Sequence, residues 1–257
     1  DAADALERTL SATLEMLDGA PRMTRDPAPP DDHEISGETP AQGGVAPARP
    51  APRRTISALM SVDPDIAALG WKRDLASPFL GRSPLRLTLE RLARVRNIER
   101  VTLLTHQPDR VRALVGPPID GLTIEYEPVD PELMRAHRAS IAPARLWARS
   151  CWRGGLGYAT AWDEVFDPRL AAAVMTGRRL DAALVLGADW CFIDPALCDQ
   201  VIDRYLEDPD GLPLAFAHAP PGAAGMVISA ALASDLAKGR AHGDPLASIG
   251  GLLGFSP

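Results

Sequence analysis

An aspartate that follows a short apolar run is the residue best suited to chemistry in this chain. The run from Ala182 to Leu186 is too short for an ordinary helix and predicts a buried strand, which Gly187 ends. Asp189 then lies just past the carboxyl end of that strand, where open α/β sheets bind their ligands. A carboxylate at this place suits a divalent metal held against a phosphate. Asp189 is therefore the candidate catalytic residue and metal ligand, although it would also suit a solvated loop.

A second candidate feature is a glycine group that precedes a predicted helix. Gly154, Gly155 and Gly157 would cradle a phosphate at the helix N-terminus, or would form a turn that needs positive φ. Basic and aromatic residues precede this group, namely Arg145, Trp147, Arg149, Trp152 and Arg153. They predict either a wall for a nucleotide or sugar phosphate, or a solvated helix face over packed tryptophans.

Histidines and acidic residues near predicted strand and helix ends add further candidates. His106 and His218 each follow a predicted strand, where a general base would lie, while a lone histidine is more often structural. Asp163 and Glu164 lie one turn past the glycine group. They would join Asp189 at a metal, or would remain solvated charges.

The elements that must position these residues fall into three regions. Residues 1–18 predict an amphipathic helix, because their leucines share one face. The stripe consists of Leu6, Leu10, Leu14 and Leu17. Residues 19–54 are rich in proline and almost free of large apolar residues, which predicts a disordered linker. Residues 55–257 are predicted to form the folded domain.

Strand patterns alternate with helix patterns in the folded domain. Predicted strands cover residues 56–62, 101–105, 122–126, 182–186, 214–217 and 225–229. Predicted helices begin at residues 84, 108, 131, 158, 168, 195 and 230, and the one from residue 131 is expected to end near Ser140. This alternation is typical of βαβ units. It predicts an α/β fold with a mainly parallel sheet and helices on both faces.

Composition narrows the class of function. The formal net charge is −7 and no long basic run is present, which argues against a nucleic-acid-coating surface. Apolar runs are shorter than the roughly 20 residues that span a membrane. Three cysteines do not suggest a disulfide framework, so we expect a reducing, cytoplasmic compartment. The motifs of serine hydrolases, zinc proteases, Walker loops and dinucleotide-binding strands are missing, so hydrolase and dinucleotide-dependent activities have no support.

Three stretches, taken in their order, carry a resemblance to a known family. Residues 81–92 are Gly-Arg-Ser-Pro-Leu-Arg-Leu-Thr-Leu-Glu-Arg-Leu, and residues 185–195 are Val-Leu-Gly-Ala-Asp-Trp-Cys-Phe-Ile-Asp-Pro. With the glycine group and helix of residues 154–164, they resemble the cytidylyltransferase branch of the sugar nucleotidyltransferases. The resemblance spans roughly residues 55–240. It implies a GT-A-type fold and a transferase that uses a nucleotide, a sugar or sugar acid, and Mg²⁺.

The loop after the first predicted strand departs from the family pattern. The family has a glycine-rich, cationic loop there. Residues 61–73 contain a single glycine, Gly70, and they carry carboxylates, absent from the family pattern, that would repel a triphosphate. The resemblance therefore assigns the triphosphate contacts to Lys72, Arg73 and Arg82. It assigns the sugar-type substrate to the glycine group together with His106 and Arg153.

Alternatives of other classes remain open. The departing loop is typical of a degenerate, non-catalytic module that binds a ligand or partner for a larger enzyme. Ala188-Asp189 would also suit a reduced Asp-x-Asp metal motif of a GT-A glycosyltransferase. A looser resemblance is to the N-terminal part of long bacterial proteins that continue into a radical-SAM region. Because the chain starts at Asp1 and ends at Pro257 without a closing helix, we expect a piece of a longer polypeptide with additional domains.

Overall fold

A computed structural model describes residues 54–67, 72–150, 162–220, 222–244 and 247–252, without the side chains of residues 143–150. These residues all belong to one unit of the chain, Ala51–Pro257. The predicted N-terminal helix, and the predicted linker up to residue 53, lie outside the described residues. Gly154, Gly155, Gly157 and Arg153 of the predicted site also lie outside them.

The described strands form a single mixed sheet. They are β1 (Ile56–Ser61), β2 (Arg100–Thr105), β3 (Thr123–Pro128), β4 (Ala182–Val185), β5 (Leu214–Phe216) and β6 (Met226–Ser229). The strand order is β3-β2-β1-β4-β6-β5. β1 is parallel to β2 and β4, and β2 is parallel to β3, whereas β6 is antiparallel to both of its neighbours. The predicted α/β fold with a mainly parallel sheet is confirmed.

Helices connect these strands. They are α1 (Pro84–Leu92), α2 (Pro108–Val115), α3 (Pro131–Ser150), α4 (Pro168–Arg178), α5 (Pro195–Glu207), α6 (Ala230–Ala241) and α7 (Ile249–Leu252). Residues 162–165 add one helical turn before α4. The helix predicted to end near Ser140 continues ten residues further, because good helix formers follow Pro143. The expectation that no helix closes the chain was wrong, since α7 lies near its end.

Four helices begin with a capping side chain that is followed by proline. The side chains of Ser83, Asp130, Asp167 and Asp194 each accept a hydrogen bond from a backbone N–H of the first turn. Proline suits the next position because its missing N–H would have no partner there. Side-chain capping therefore starts α1, α3, α4 and α5 at defined residues.

The helices cover both faces of the sheet. Successive residues of β1 point to opposite faces, so Ala58 and Met60 join one buried cluster and Leu59 joins another. The first cluster contains Leu85 and Leu89 of α1, Val111 of α2 and Ile202 of α5. The second contains Met175 of α4 and Leu236 of α6. Each face of the sheet therefore has its own apolar core.

The order of the strands creates a crevice between β1 and β4. From β1 the chain adds β2 and then β3 on one side, and it then returns to place β4 on the other side of β1. Connections diverge in this way at a topological switch point, which leaves the carboxyl ends of the two strands uncovered. Ligands of open α/β sheets bind at such a point.

Candidate functional site

A cavity of about 250 Å³ opens at the carboxyl ends of β1 and β4. Its walls come from the loop after β1, from α3, from residues 164–170 and from the loop after β4. The charged residues of its lining are Asp63, Arg73, Arg138, Glu164, Asp167 and Asp189. The cavity thus occupies the switch point, and its lining contains three residues that the sequence analysis proposed, Asp189, Arg73 and Glu164.

The loop after β1 is organised by a buried aspartate. Asp63 is 4% exposed, and its Oδ1 accepts the N–H groups of Asp65 at 3.0 Å and Ile66 at 3.1 Å. Its Oδ2 accepts a hydrogen bond from Nη1 of Arg138 at 2.8 Å. Asp65, the second carboxylate of this loop, is paired with Arg110, which donates to Oδ1 at 2.7 Å. Both carboxylates that were expected to repel a triphosphate are therefore partnered by arginines.

Arg73 joins the two loops at the mouth of the cavity. Its Nη1 donates to Oδ2 of Asp189 at 2.9 Å, and its Nη2 donates to the carbonyl oxygen of Asp63 at 2.7 Å. The side chain of Arg73 is 17% exposed and that of Asp189 is 41% exposed. The buried Nε of Arg73 has no hydrogen-bond partner among the described residues. Arg73 and Asp189 thus form an ion pair at the edge of the sheet, and the Nε–H group of Arg73 remains available as a hydrogen-bond donor.

The loop that carries Asp189 is shaped by a glycine and supported by α1. A Cβ on Gly187 would lie 2.4 Å from Nε1 of Trp190, so the indole can occupy its place only against glycine. The Thr88 hydroxyl approaches the carbonyl oxygen of Ala188 at 3.3 Å, and Nε of Arg91 donates to the carbonyl oxygen of Ile193 at 2.5 Å. Contacts on both sides of Asp189 therefore hold the loop.

A buried histidine lies in the part of the cavity formed by α3 and α4. His137 is 8% exposed, and its Nε2 lies 2.8 Å from the carbonyl oxygen of Asp163. Since a carbonyl oxygen only accepts, Nε2 carries the proton. Nδ1 lies 3.9 Å from Oδ2 of Asp167, beyond hydrogen-bond distance. Burial lowers the pKa of His137, and the carboxylate of Asp167 opposes that shift only in part.

Asp163 and Glu164, the adjacent acidic residues of the predicted metal group, face different surroundings. The carboxylate of Asp163 accepts the N–H groups of Ile249 at 2.7 Å and Gly250 at 3.0 Å, at the start of α7. Burial raises the pKa of Asp163, and these backbone donors oppose the shift. Glu164 lines the cavity that contains Asp189. Asp163 therefore anchors the start of α7, where the hydroxyl of Ser248 also accepts the N–H group of Gly251 at 2.9 Å.

The other two predicted phosphate contacts lie outside the cavity lining. Lys72 is exposed, and its backbone bridges to Ile66 across the loop after β1. Arg82 pairs with Glu90 in a separate groove at the start of α1. The structure therefore brings Arg73 to Asp189 but does not bring Lys72 or Arg82 there.

The predicted histidines also lie apart from this cavity. His106 contacts Gln107, with Nε2 of His106 3.0 Å from Nε2 of Gln107, and its buried Nδ1 has no described hydrogen-bond partner. His218 is exposed after β5. Neither histidine lines the cavity at the switch point.

Several residues of the cavity were not among the predicted site residues. Asp63, His137, Arg138 and Asp167 all line it. One signal for His137 exists in the sequence, because Met134, His137 and Ile141 are spaced for a single helix face and all three are buried. A histidine on an otherwise apolar helix face is unusual and can indicate a functional residue, but the spacing alone does not show which residues or ligand it contacts.

The described donors fit a metal only in part. No group of three or more histidine, cysteine, aspartate or glutamate residues with metal-binding geometry occurs in the described ranges. Mg²⁺ does not require such a group, because one or two carboxylates commonly hold it together with substrate phosphates and waters. The exposed carboxylate of Asp189 fits that pattern, whereas an ion held by protein ligands alone has no described site.

Comparison with known proteins yields distant structural neighbours. No model of a known protein family and no curated protein matches the sequence. A cytidylyltransferase from Leptospira borgpetersenii serovar Hardjo-bovis (strain JB197) is 13% identical, with a TM-score of 0.46 over 72% of this chain and 65% of that chain. The 4-diphosphocytidyl-2C-methyl-D-erythritolsynthase from Anaerococcus prevotii DSM 20548 is 12% identical, with a TM-score of 0.40 over 74% of this chain and 76% of that chain.

This chain thus covers less than two thirds of the Leptospira structure, at 65% of its length. None of these neighbours bears on the radical-SAM resemblance. Among the described helices, none has both the length and the apolar character needed to cross a bilayer.

Proposed function

We propose that this domain is a nucleotidyltransferase-like module that binds a nucleotide and a sugar or sugar acid in the cavity between β1 and β4. The observation that carries the proposal is the contact of Arg73 with Asp189, 2.9 Å apart at the switch point. A guanidinium from the loop after β1 and a carboxylate from the loop after β4 supply the two charges that nucleotide phosphates and their metal need.

Arg73 is suited to exchange its partner when phosphate arrives. Ion pairs as exposed as this one, with Asp189 at 41%, contribute only about 0–1 kcal/mol. Charge-assisted hydrogen bonds from guanidinium to phosphate contribute about 1.5–3 kcal/mol. A phosphate would therefore compete well for Arg73, and the carboxylate of Asp189 would become available.

Asp189 would then hold Mg²⁺ together with the phosphates of the nucleotide. The metal would neutralise phosphate charge and polarise the attacked phosphoryl group. The residues of the chain contribute mainly by positioning: Asp63 and Arg138 hold the loop of Arg73, and Gly187 permits the loop of Asp189. Transfer of this kind depends chiefly on positioning and charge stabilisation.

A second candidate function is that of a non-catalytic binding module. The cavity lining favours it, because four carboxylates face two guanidinium groups there, and His137 is neutral. Lys72 and Arg82 lie outside the lining and do not offset this negative charge. A module of this kind would bind its ligand without Mg²⁺ and without turnover.

Calorimetric titration of the full chain distinguishes the two functions. CTP, UTP, GTP, ATP and their sugar conjugates are titrated with and without Mg²⁺. The proposal predicts Mg²⁺-dependent binding of one nucleotide, weakened about tenfold or more by Asp189→Ala or Arg73→Ala, since each removes a charged contact. Asp210→Ala is the matched control, because Asp210 is an exposed aspartate paired with Arg54 at 2.6 Å, outside the cavity lining.

Binding of no nucleotide at millimolar concentration would contradict the transferase proposal and favour the non-catalytic module. Mg²⁺-independent binding that survives Asp189→Ala would have the same meaning. Binding of a nucleotide sugar in preference to every triphosphate would favour a glycosyltransferase.

A further inference from the structure

The part of the cavity formed by α3 and α4 presents acceptors rather than cations. We propose that His137 binds a hydroxyl group of the sugar-type ligand, which donates a hydrogen bond to Nδ1. This inference rests on the proposed function, because it names the residue that recognises the sugar part of the ligand. His137 is a binding residue in this proposal and takes no proton from the ligand.

The hydrogen bond of His137 to the backbone decides which ring nitrogen is available. Nε2 lies 2.8 Å from the carbonyl oxygen of Asp163, so Nε2 carries the proton and Nδ1 presents its lone pair. Within the described part of the chain, Nδ1 has no hydrogen-bond partner, since Oδ2 of Asp167 lies 3.9 Å away. The ring therefore lines the cavity with one acceptor unused.

The charged groups around the ring keep it neutral. Asp167, the N-cap residue of α4, and the carbonyl of Asp163 favour the protonated ring, whereas Arg169 of α4 and Arg240 of α6 disfavour it. Burial outweighs them and lowers the pKa of His137. On its own helix, the adjacent Arg138 is engaged with Asp63. At neutral pH the lone pair of Nδ1 is therefore present.

The surroundings favour a hydroxyl over a phosphate at this position. Glu164 and Asp167 line the cavity near His137, and both are acceptors when ionised. Two of the three arginines around the ring are paired with a carboxylate, Arg138 with Asp63 and Arg169 with Asp167. Nε of the third, Arg240, donates to the carbonyl oxygen of Ala247 at 2.8 Å, and Arg240 does not line the cavity. A phosphate here would meet acceptors and negative charge, whereas a sugar ring supplies donors. The phosphate end of the ligand is therefore expected at Arg73 and the sugar end at His137.

A structural role of His137 explains only one of its two ring nitrogens, Nε2. The Nε2 bond satisfies one nitrogen and leaves Nδ1 without a hydrogen-bond partner among the described residues. An apolar side chain would suit this helix face better if the face were only structural, since its neighbours Met134 and Ile141 are buried and apolar. A ligand hydroxyl would satisfy Nδ1.

Two substitutions separate the nitrogens of the ring. His137→Gln places an amide N–H near the position of Nε2 and keeps the donor to Asp163, but it removes the acceptor at Nδ1. His137→Asn places an amide oxygen near Nδ1 and removes the donor. Calorimetry on the full chain measures the affinities for CDP and CDP-glucose, and for UDP and UDP-glucose, with Mg²⁺. The quantity of interest is the ratio of the conjugate's affinity to that of the bare nucleotide.

We expect His137→Gln to lower this ratio about two- to tenfold, the value of one hydrogen bond, while the affinity for the bare nucleotide stays unchanged. His137→Asn should retain the ratio in the folded protein. His242→Gln is the control, because His242 is an exposed histidine outside the cavity lining. An unchanged ratio in His137→Gln would overturn the inference and leave the proposed function intact. Absence of nucleotide binding in the unsubstituted protein would overturn both.

Nitrogen-15 spectra of the histidine rings provide a test that needs no substitution. The proposal predicts the Nε2–H tautomer for His137 in the free protein. It also predicts a shift of the Nδ1 resonance with CDP-glucose or UDP-glucose but not with CDP or UDP. A proton on Nδ1 in the free protein, or an Nδ1 resonance that does not respond to either conjugate, would overturn the inference even if the variants fail to fold.

Discussion

Two aspartates at the same edge of the sheet, each paired with an arginine, differ in burial. Asp63 follows β1 and pairs with Arg138 at 2.8 Å, with side-chain exposures of 5% and 15%. Asp189 follows β4 and pairs with Arg73 at 2.9 Å, with side-chain exposures of 41% and 17%. The two pairs have the same chemistry and similar distances, so exposure of the carboxylate is what distinguishes them.

This difference assigns the pairs different roles. A buried charge cannot lose its partner cheaply, because no water replaces it. An exposed carboxylate exchanges partners at little cost, because water solvates it. Asp63 is therefore part of the framework that shapes the cavity, whereas Asp189 is available to a ligand. Substitutions at the two pairs and at the residues beside them are expected to differ accordingly in their effect on stability.

Breaking the buried pair should have the largest effect. Asp63→Ala leaves the guanidinium of Arg138 buried without a partner and removes the acceptor of two backbone N–H groups. We expect the free energy of unfolding to fall by about 3–5 kcal/mol. Urea denaturation measures it, and the double variant with Arg138→Met should recover part of the loss. A loss below about 1 kcal/mol would contradict the distinction between the pairs.

A methyl group at Gly187 should disturb the loop of the exposed pair. The added Cβ would meet the Trp190 indole at 2.4 Å, and that indole packs edge-on against Trp162 with ring centroids 5.5 Å apart. We expect Gly187→Ala to lower the free energy of unfolding by about 1–3 kcal/mol, as overpacking does.

Nucleotide affinity should fall in the same variant, because Asp189 moves with this loop. Gly177→Ala is the matched control, since a Cβ on this helical glycine meets nothing within 4 Å. It should be neutral or stabilising by up to about 1 kcal/mol. Equal effects of the two substitutions would show that the close approach of Trp190 is unimportant.

The neutral histidine beside the buried pair should give the protein an acid-sensitive component of stability. Burial holds the pKa of His137 below its ordinary value of 6.5, so the folded protein binds this proton more weakly than the unfolded chain. Its contribution is complete above pH 6.5 and is lost as the pH falls below that value, with a limiting slope of about 1.4 kcal/mol per pH unit.

Unfolding free energies measured from pH 8 to pH 5 check this prediction. His137→Gln should remove this component of the slope, whereas His242→Gln should leave it in place. An unchanged slope in His137→Gln would mean that His137 titrates normally.

Breaking the exposed pair should have the smallest effect on stability. Asp189→Ala should change the free energy of unfolding by about 1 kcal/mol or less, because the carboxylate is 41% exposed. The same variant should lose Mg²⁺-dependent nucleotide affinity. A large loss of stability would instead make Asp189 a structural residue like Asp63.

Local sequence signals determined the elements of this fold. Ser83, Asp167 and Asp194, each followed by proline, mark the starts of α1, α4 and α5, because capping involves residues that are neighbours in sequence. Short apolar runs marked the strands. The position of Asp189 past the end of β4 followed from the same patterns. Of the exposed pair Arg73–Asp189, the carboxylate was therefore predictable from the sequence.

Which side chains meet in the cavity depends on contacts between residues that are far apart in sequence. Arg73 reaches Asp189 across 116 positions of the sequence, and Arg138 reaches Asp63 across 75. Lys72 and Arg73 were equivalent candidates from the sequence, yet only Arg73 lines the cavity. Successive residues of an extended segment point in opposite directions, and the sequence does not specify which of the two residues points into the cavity. Burial, which distinguishes Asp63 from Asp189, depends on the packing of α3 over the loop after β1.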